Sequence, residues 1–147
     1  MLLMNSMNPG TLQEGQTMEG NDLRFEIYAG PSFVYIEVLA GGMPLESDLD
    51  AVSLVAVCIE NRADRILIHE GVLSENFFKL RTGIAGVFMQ KFENYDIKAA
   101  IVVGGSLVRG SSFVDMMSEV NRGERIRFFS EDDPAREWLT AESEIQL

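Results

Sequence analysis

The side chains able to do chemistry are few, because the chain has one histidine and one cysteine. His69 stands beside Glu70 at the end of the apolar run Arg65–Glu70, RILIHE, and Ser74 follows shortly after. Ser106 lies in the Gly-rich stretch GGSLVRGSS over 104–112, and Glu119, Asn121 and Arg122 fall together where a helical pattern ends. A hydrolytic triad needs a nucleophile, a base and a group that orients the base. Ser74 or Ser106 could approach His69, but the chain has no Gly-x-Ser-x-Gly elbow. One histidine and one cysteine do not make a metal set. The Gly-rich stretch matches neither the Walker A pattern nor the dinucleotide fingerprint. Its backbone N–H groups could cradle an anion, and the plainer alternative is a flexible connection. No catalytic residue, metal or cofactor is therefore assigned. The ligand-binding or regulatory candidates are His69, Glu70, Ser74, Ser106, Glu119, Asn121 and Arg122. Each has an ordinary alternative: a hydrogen-bonded structural histidine, a helix cap at Ser74, or, for Arg122, Arg125 and Arg127, surface salt links to the acidic C-terminal helix.

These residues are positioned by a run of short elements. Residues 1–20 have no period and read as a disordered leader. Leu23, Phe25 and Ile27 alternate with Arg24, Glu26 and Tyr28, the mark of a half-exposed strand. After the turn Ala29-Gly30-Pro31-Ser32, a second strand puts Val34, Ile36 and Val38 on one face and Tyr35 and Glu37 on the other. Together they predict a hairpin. A first helix is expected over 46–61, with Leu45, Leu49, Val52, Ala56 and Ile59 as its core-facing stripe and Ser47 or Asp48 as its cap. RILIHE and the run over 97–103 are continuous enough for strands buried on both faces. Further pieces are a helix over 111–121, a strand over 125–129, and a last helix opened by Asp132-Asp133-Pro134 and anchored by Trp138 and Leu139. The result is a single α/β domain over 21–141 with a frayed tail over 142–147. An antiparallel hairpin precedes repeating βα units, giving a mixed sheet of about five strands and four helices.

The stretch Phe77–Tyr95, FFKLRTGIAGVFMQKFENY, carries the broadest apolar surface. Apolar residues at Phe77, Leu80, Ile84, Val87, Phe88 and Phe92 predict one long, mostly buried helix capped by Ser74 and ended by Asn94-Tyr95. Gly83 and Gly86 inside it are unfavourable by roughly 1 kcal/mol each. They imply close packing against a neighbouring element, or a ligand contact. The motif, with His69 upstream and Glu119, Asn121, Gly123 and Phe128 downstream, resembles the bacterial family known as domain of unknown function 4180. The resemblance spans roughly 23–139 and implies fold and boundaries more than activity. The chain departs from the family pattern at Gly104-Gly105-Ser106, where Gly-Asp-Phe is usual, and at Val87, where Glu is usual. Both departures remove a carboxylate. The element order also resembles the STAS-type fold of anti-sigma-factor antagonists, in which a serine at the start of the helix after the middle strand is a phosphorylation switch. Ser74 occupies a comparable place, but the short signature around that serine is absent.

Composition narrows the rest. The 147 residues are 46% hydrophobic and 24% charged, enough for a real core. A net charge of −11 excludes a general nucleic-acid binder and a binder of anionic membranes. Cys58 has no partner for an internal disulfide, and neither a signal peptide nor a membrane-spanning run is visible. The expectation is a small cytoplasmic binding or regulatory module of STAS-like order, acting on a protein partner or itself, with a switch near Ser74. Two alternatives stay open: a small-ligand protein for an anion or nucleotide-like molecule, or a minor enzyme, around His69; and a structural homo-oligomer.

Overall fold

The computed structural model describes residues 13–17, 23–40, 44–104 and 111–141, the first of these for its backbone alone. Six strands form one sheet in chain order: β1 (Gln13–Thr17), β2 (Arg24–Ala29), β3 (Val34–Leu39), β4 (Arg65–His69), β5 (Lys98–Val102) and β6 (Ile126–Phe129). The first two pairings are antiparallel and the last three parallel, so the hairpin-then-βα expectation holds. The five expected strands are all present. The sixth, β1, lies within the stretch expected to be a disordered leader, and the remainder of that leader is outside the described residues. The hairpin turn depends on Gly30, whose N–H donates to Phe33 O at 2.8 Å. A Cβ at Gly30 would come within 2.3 Å of the Phe33 ring, so any other residue there requires that ring to move.

Four helices complete the layers: α1 (Asp48–Glu60), α2 (Ile84–Asn94), α3 (Ser111–Val120) and α4 (Asp132–Thr140). Parallel neighbours in sequential order need crossovers of one hand, which places the connecting helices on one side of a sheet. The packing agrees. Ile36, Val38, Ile66, Ile68, Ala99, Ile101 and Phe128 face α1, α2 and α3 in one core. The opposite side chains, Tyr35, Leu67, Ala100 and Val102, face Ala135 and Leu139 of α4 in a second. Strand alternation thus feeds two cores, which is why β4 and β5 read as continuous apolar runs.

Two expectations about helices are corrected. The stretch from Phe77 is not one helix. Two 3₁₀ turns, Glu75–Phe78 and Leu80–Thr82, come first, and α2 begins only after Gly83, which sits at φ +76°. That left-handed geometry suits glycine and ends the 3₁₀ run. Thr82 Oγ1 pins the junction: it lies 2.8 Å from both Asn76 O and Lys79 O and accepts the Ile84 N–H at 3.2 Å. The close-packing reading of Gly83 and Gly86 also fails, since a Cβ at either would meet nothing within 4 Å. The stretch is nonetheless the hub of the larger core. Phe77 meets Phe78 at 5.2 Å, edge-on, and Phe88 at 5.6 Å, while Phe78 reaches Phe113 at 5.4 Å.

The second correction concerns α1, which begins where expected. Ser47 caps it in a reciprocal box with Asp50. Its buried residues, however, are Ala51, Leu54, Val55, Val57 and Cys58. Of the expected stripe only Leu45 is buried, and it precedes the helix, bridged to Leu73. Leu49, Val52 and Ile59 are 74%, 46% and 58% exposed.

Candidate functional site

A polar network lies where β3, β4 and α4 meet, inside the smaller core. β3 inserts Glu37 between apolar neighbours, and α4 covers it, leaving it 7% exposed. His69, the last residue of β4, donates from Nε2 to Glu37 Oε2 at 2.7 Å. Arg136 Nη2 donates to the same oxygen at 2.7 Å. Asp132, one turn before Arg136, completes the set at 3.5 Å from His69 Nδ1 and 3.8 Å from Arg136 Nη1. Two cations thus converge on one buried carboxylate, and a half-exposed carboxylate backs both.

Titration follows from these contacts. Burial pushes the Glu37 carboxyl up, but the hydrogen bonds and charges of His69 and Arg136 outweigh it and leave it below the usual carboxylate range. The hydrogen bond to Glu37 raises the His69 imidazole above its ordinary value, against the opposing effect of burial. The network continues onto the hairpin. Glu26 lies directly across from Glu37 and Tyr28 across from Tyr35. The two tyrosine rings stack at 5.0 Å, and Tyr28 Oη donates to Glu26 Oε1 at 2.6 Å. Burial, then the Glu26 hydrogen bond and the nearby carboxylates, raise the Tyr28 phenol. Beside this network Tyr28, Phe33, Tyr35 and Arg136 line an open groove of about 370 Å³.

Chemically the network is a clasp. The Glu37 carboxylate is met by His69 and Arg136, and the network carries the Tyr28 phenol hydroxyl on Glu26; among the described residues no group of three His, Cys, Asp or Glu is placed to hold a metal. Its visible effect is to fasten α4 to the sheet.

The other candidates do not join His69. Glu70 accepts the Gly104 N–H across the ends of β4 and β5. Ser74 is 9% exposed and does not cap the turn that follows; its Oγ is buried with no hydrogen-bond partner. The cap fails because residues 75–78 form only a short 3₁₀ turn, while the Ser74 N–H is taken by Leu45 O at 3.1 Å. Asn121 is structural: its side chain accepts the Phe128 N–H at 2.7 Å and donates to Phe128 O at 3.2 Å. Glu119 and Arg122 are exposed near the same helix end. Ser106 and most of the Gly-rich stretch lie outside the described residues. The partners of His69 are not evident in the sequence, because the alternation places Glu37 on the face opposite Val34, Ile36 and Val38 without showing what covers it. The available signal was the pairing of Glu26 with Glu37 and Tyr28 with Tyr35 that the hairpin register forces.

A second concavity adjoins the first at Arg65, which lies over the Phe33 ring at 5.0 Å. A groove of about 1140 Å³ is lined by Arg65, Lys98, Arg125, Arg127 and Trp138, with Glu93 and Glu124 among its acids. Arg65 Nη1 donates to Leu139 O at 2.6 Å and Lys98 Nζ to Trp138 O at 2.9 Å, so both close the C-terminus of α4. Lys98 and Arg127 lie over the Trp138 ring at 4.5 and 5.4 Å. Arg125 pairs with Glu93 and Asp96 at 3.7 and 3.4 Å, not with the C-terminal helix as expected.

Taken with the fold, this defines a mixed α/β domain whose described polar groups mostly serve the architecture. A family model described as a domain of unknown function (DUF4180) matches residues 32–139, and the chain belongs to that family. No curated protein and no solved structure matches, so the STAS-type resemblance stays one of element order. No helix among the described residues is long and apolar enough to cross a membrane.

Proposed function

We propose that the protein is a small cytoplasmic interaction module that docks a protein partner on the outer line of α1. One observation carries this reading: Leu49, Val52 and Ile59 share a line on α1 and are 74%, 46% and 58% exposed, although the helix seats another apolar face on the sheet. A helix in this position needs one apolar stripe, and α1 has two. Covering Leu, Val and Ile side chains is worth roughly 1.5–3 kcal/mol each, before the costs of association. Three such side chains on one helix face form an exposed apolar patch of the kind that marks an interaction site. The test is native mass spectrometry on gently purified protein, with a Leu49→Glu/Ile59→Glu variant alongside. The wild type is expected to carry a second protein chain and the variant, with unchanged circular dichroism, to be bare. A bare wild type, or an identical complex in the variant, overturns the reading.

The cationic groove favours a second reading, a small anionic ligand, because Lys98 and Arg127 meet backbone carbonyls there while no carboxylate lies within ion-pair distance among the described residues. Trp138 is the chain's one tryptophan, so its fluorescence reports on the groove. Saturable quenching by pyrophosphate, lost in Lys98→Gln, supports that reading; a flat titration ends it.

A further inference from the structure

We infer that the aromatic and cationic grooves form one site for a nucleoside diphosphate, its base held beside Tyr28 and Tyr35 and its phosphates by Lys98 and Arg127. This rests on the anionic-ligand reading above and names the ligand class. The sheet register builds the site. Tyr28 pairs with Tyr35, Tyr35 with Arg65, and Arg65 with Lys98, so four adjacent strands set one row of side chains on the face that carries α4. The C-terminus of α4 ends above this row. Thr140 lines the aromatic groove, and Trp138 and Ala141 line the cationic one. Arg65 is the floor between them: its guanidinium lies over the Phe33 ring and donates to Leu139 O. Strands lie about 4.8 Å apart, so the tyrosines stand two to three spacings, about 10–14 Å, from Lys98. A ligand that fills both grooves needs a ring and a charge held apart by a spacer, as ribose holds a base and its diphosphate.

The charges give that ligand a direction. At the aromatic end Glu26 accepts from Tyr28 Oη, and Glu37 is buried on the same face. These carboxylates disfavour an anion there and leave the slot to a neutral ring, and stacking on aromatic side chains needs no particular base. At the other end Arg65 and Lys98 donate to the last carbonyls of α4, which neutralises the negative helix end. Lys98 spends one of its three donors on Trp138 O, and Arg127 spends only its Nε, on Gly123 O. The rest of the ammonium and the whole Nη fork of Arg127 are uncommitted among the described residues. Such a fork suits two oxygens of one phosphate. Lys98 is also crowded by like charge. Burial, and then Arg65 and Arg127, pull its ammonium below the ordinary value against Asp64 and Glu124. A diphosphate between Lys98 and Arg127 relieves that crowding.

The experiment uses the full chain, with ADP, pyrophosphate and adenosine as probes. Calorimetry gives the affinities, and the fluorescence of Trp138 reports the groove. ADP is expected to bind at least about tenfold tighter than pyrophosphate, the effect of one stacked base, and tighter than adenosine. Lys98→Gln is expected to weaken ADP and pyrophosphate alike. Tyr28→Leu is expected to bring ADP down to the level of pyrophosphate, whose own affinity stays unchanged, while Tyr28→Phe keeps the ring and the wild-type preference. Equal binding of ADP and pyrophosphate, or a preference for ADP that survives Tyr28→Leu, overturns this inference and leaves the anionic-ligand reading standing. Equal binding of ADP and adenosine, or no binding of any probe, overturns both.

Discussion

Replacing Glu37 with leucine tests whether the buried clasp holds α4 on the sheet. The exchange removes two charge-assisted hydrogen bonds, from His69 and Arg136, both at 2.7 Å. Such bonds are worth about 1.5–3 kcal/mol each, a gross loss of about 3–6 kcal/mol. Two effects reduce it. The side chains of His69 and Arg136 are 26% and 36% exposed and can hydrate, and Asp132 still faces both. Leucine also avoids the desolvation of a buried carboxylate. The expected net destabilisation is about 2 kcal/mol, or about 6 °C in melting temperature for a domain of this size. Urea denaturation followed by circular dichroism, with the slope unchanged, measures it. The pH dependence supplies an independent sign. His69 has a raised folded pKa, so its contribution is complete below about 6.5, the unfolded value, and is lost as pH rises through the folded one. Glu37 has a depressed folded pKa, so its contribution is complete above the unfolded carboxylate range and is lost as pH falls through the folded one. The wild type therefore has a stability plateau between about pH 4.5 and 6.5, with a decline on the alkaline side that Glu37→Leu reduces, Asp132 alone remaining beside His69. A change under about 0.5 kcal/mol, or an unaltered alkaline decline, refutes the clasp.

Three further outcomes follow from the same geometry. Ser74→Ala removes a buried hydroxyl that has no partner, so it is expected to be neutral or to stabilise by up to about 1 kcal/mol, while Ser74→Asp destabilises; a clear loss in Ser74→Ala would restore the cap. Gly86→Ala puts a Cβ into open space in mid-helix and is expected to stabilise by about 0.5–1 kcal/mol, whereas Gly83→Ala forces a side chain to φ +76° and destabilises by about 1–2 kcal/mol; equal effects in thermal melts would contradict the break at Gly83. Asn121→Ala strips both hydrogen bonds from Phe128, and a loss of about 2 kcal/mol is expected, with faster amide exchange confined first to β6; unchanged exchange at Phe128 would show that the side chain is not its anchor.

What could be read from the sequence, and what could not, divides along the range of the forces involved. The hairpin, the continuous runs of β4 and β5, the Ser47 cap and the end of α2 at Asn94 depend on neighbours in the chain, and all are where expected. The reading of Phe77–Tyr95 as one helix fails because apolar steps of three suit 3₁₀ turns as well as an α-helix, and the breaks are backbone turns at Lys79, which is extended, and at Gly83, which is left-handed. The clasp was out of reach because Arg136 is 99 residues from the carboxylate it serves. His69 was found by its place at a strand end, but its expected companions are satisfied locally, as Asn121 is by Phe128.

The misreading of α1 has a different cause. Helical periodicity offered two interleaved stripes, and the bulkier one, with Leu49, Val52 and Ile59, was the natural candidate for the core. The sheet takes Ala51, Leu54, Val55 and Cys58 instead. Ser47 and Asp50 fix where the helix starts, and Leu45, bridged to Leu73 just before it, fixes the direction from which it enters. With both constraints set, rotating α1 by the angle between its stripes would tear Leu45 from Leu73 and drive larger side chains into a layer sized for Ala51 and Cys58. The outward line is therefore not a core stripe that failed to pack. It is a surface the fold holds in water against the hydrophobic effect, and such local conflicts are where function is to be sought.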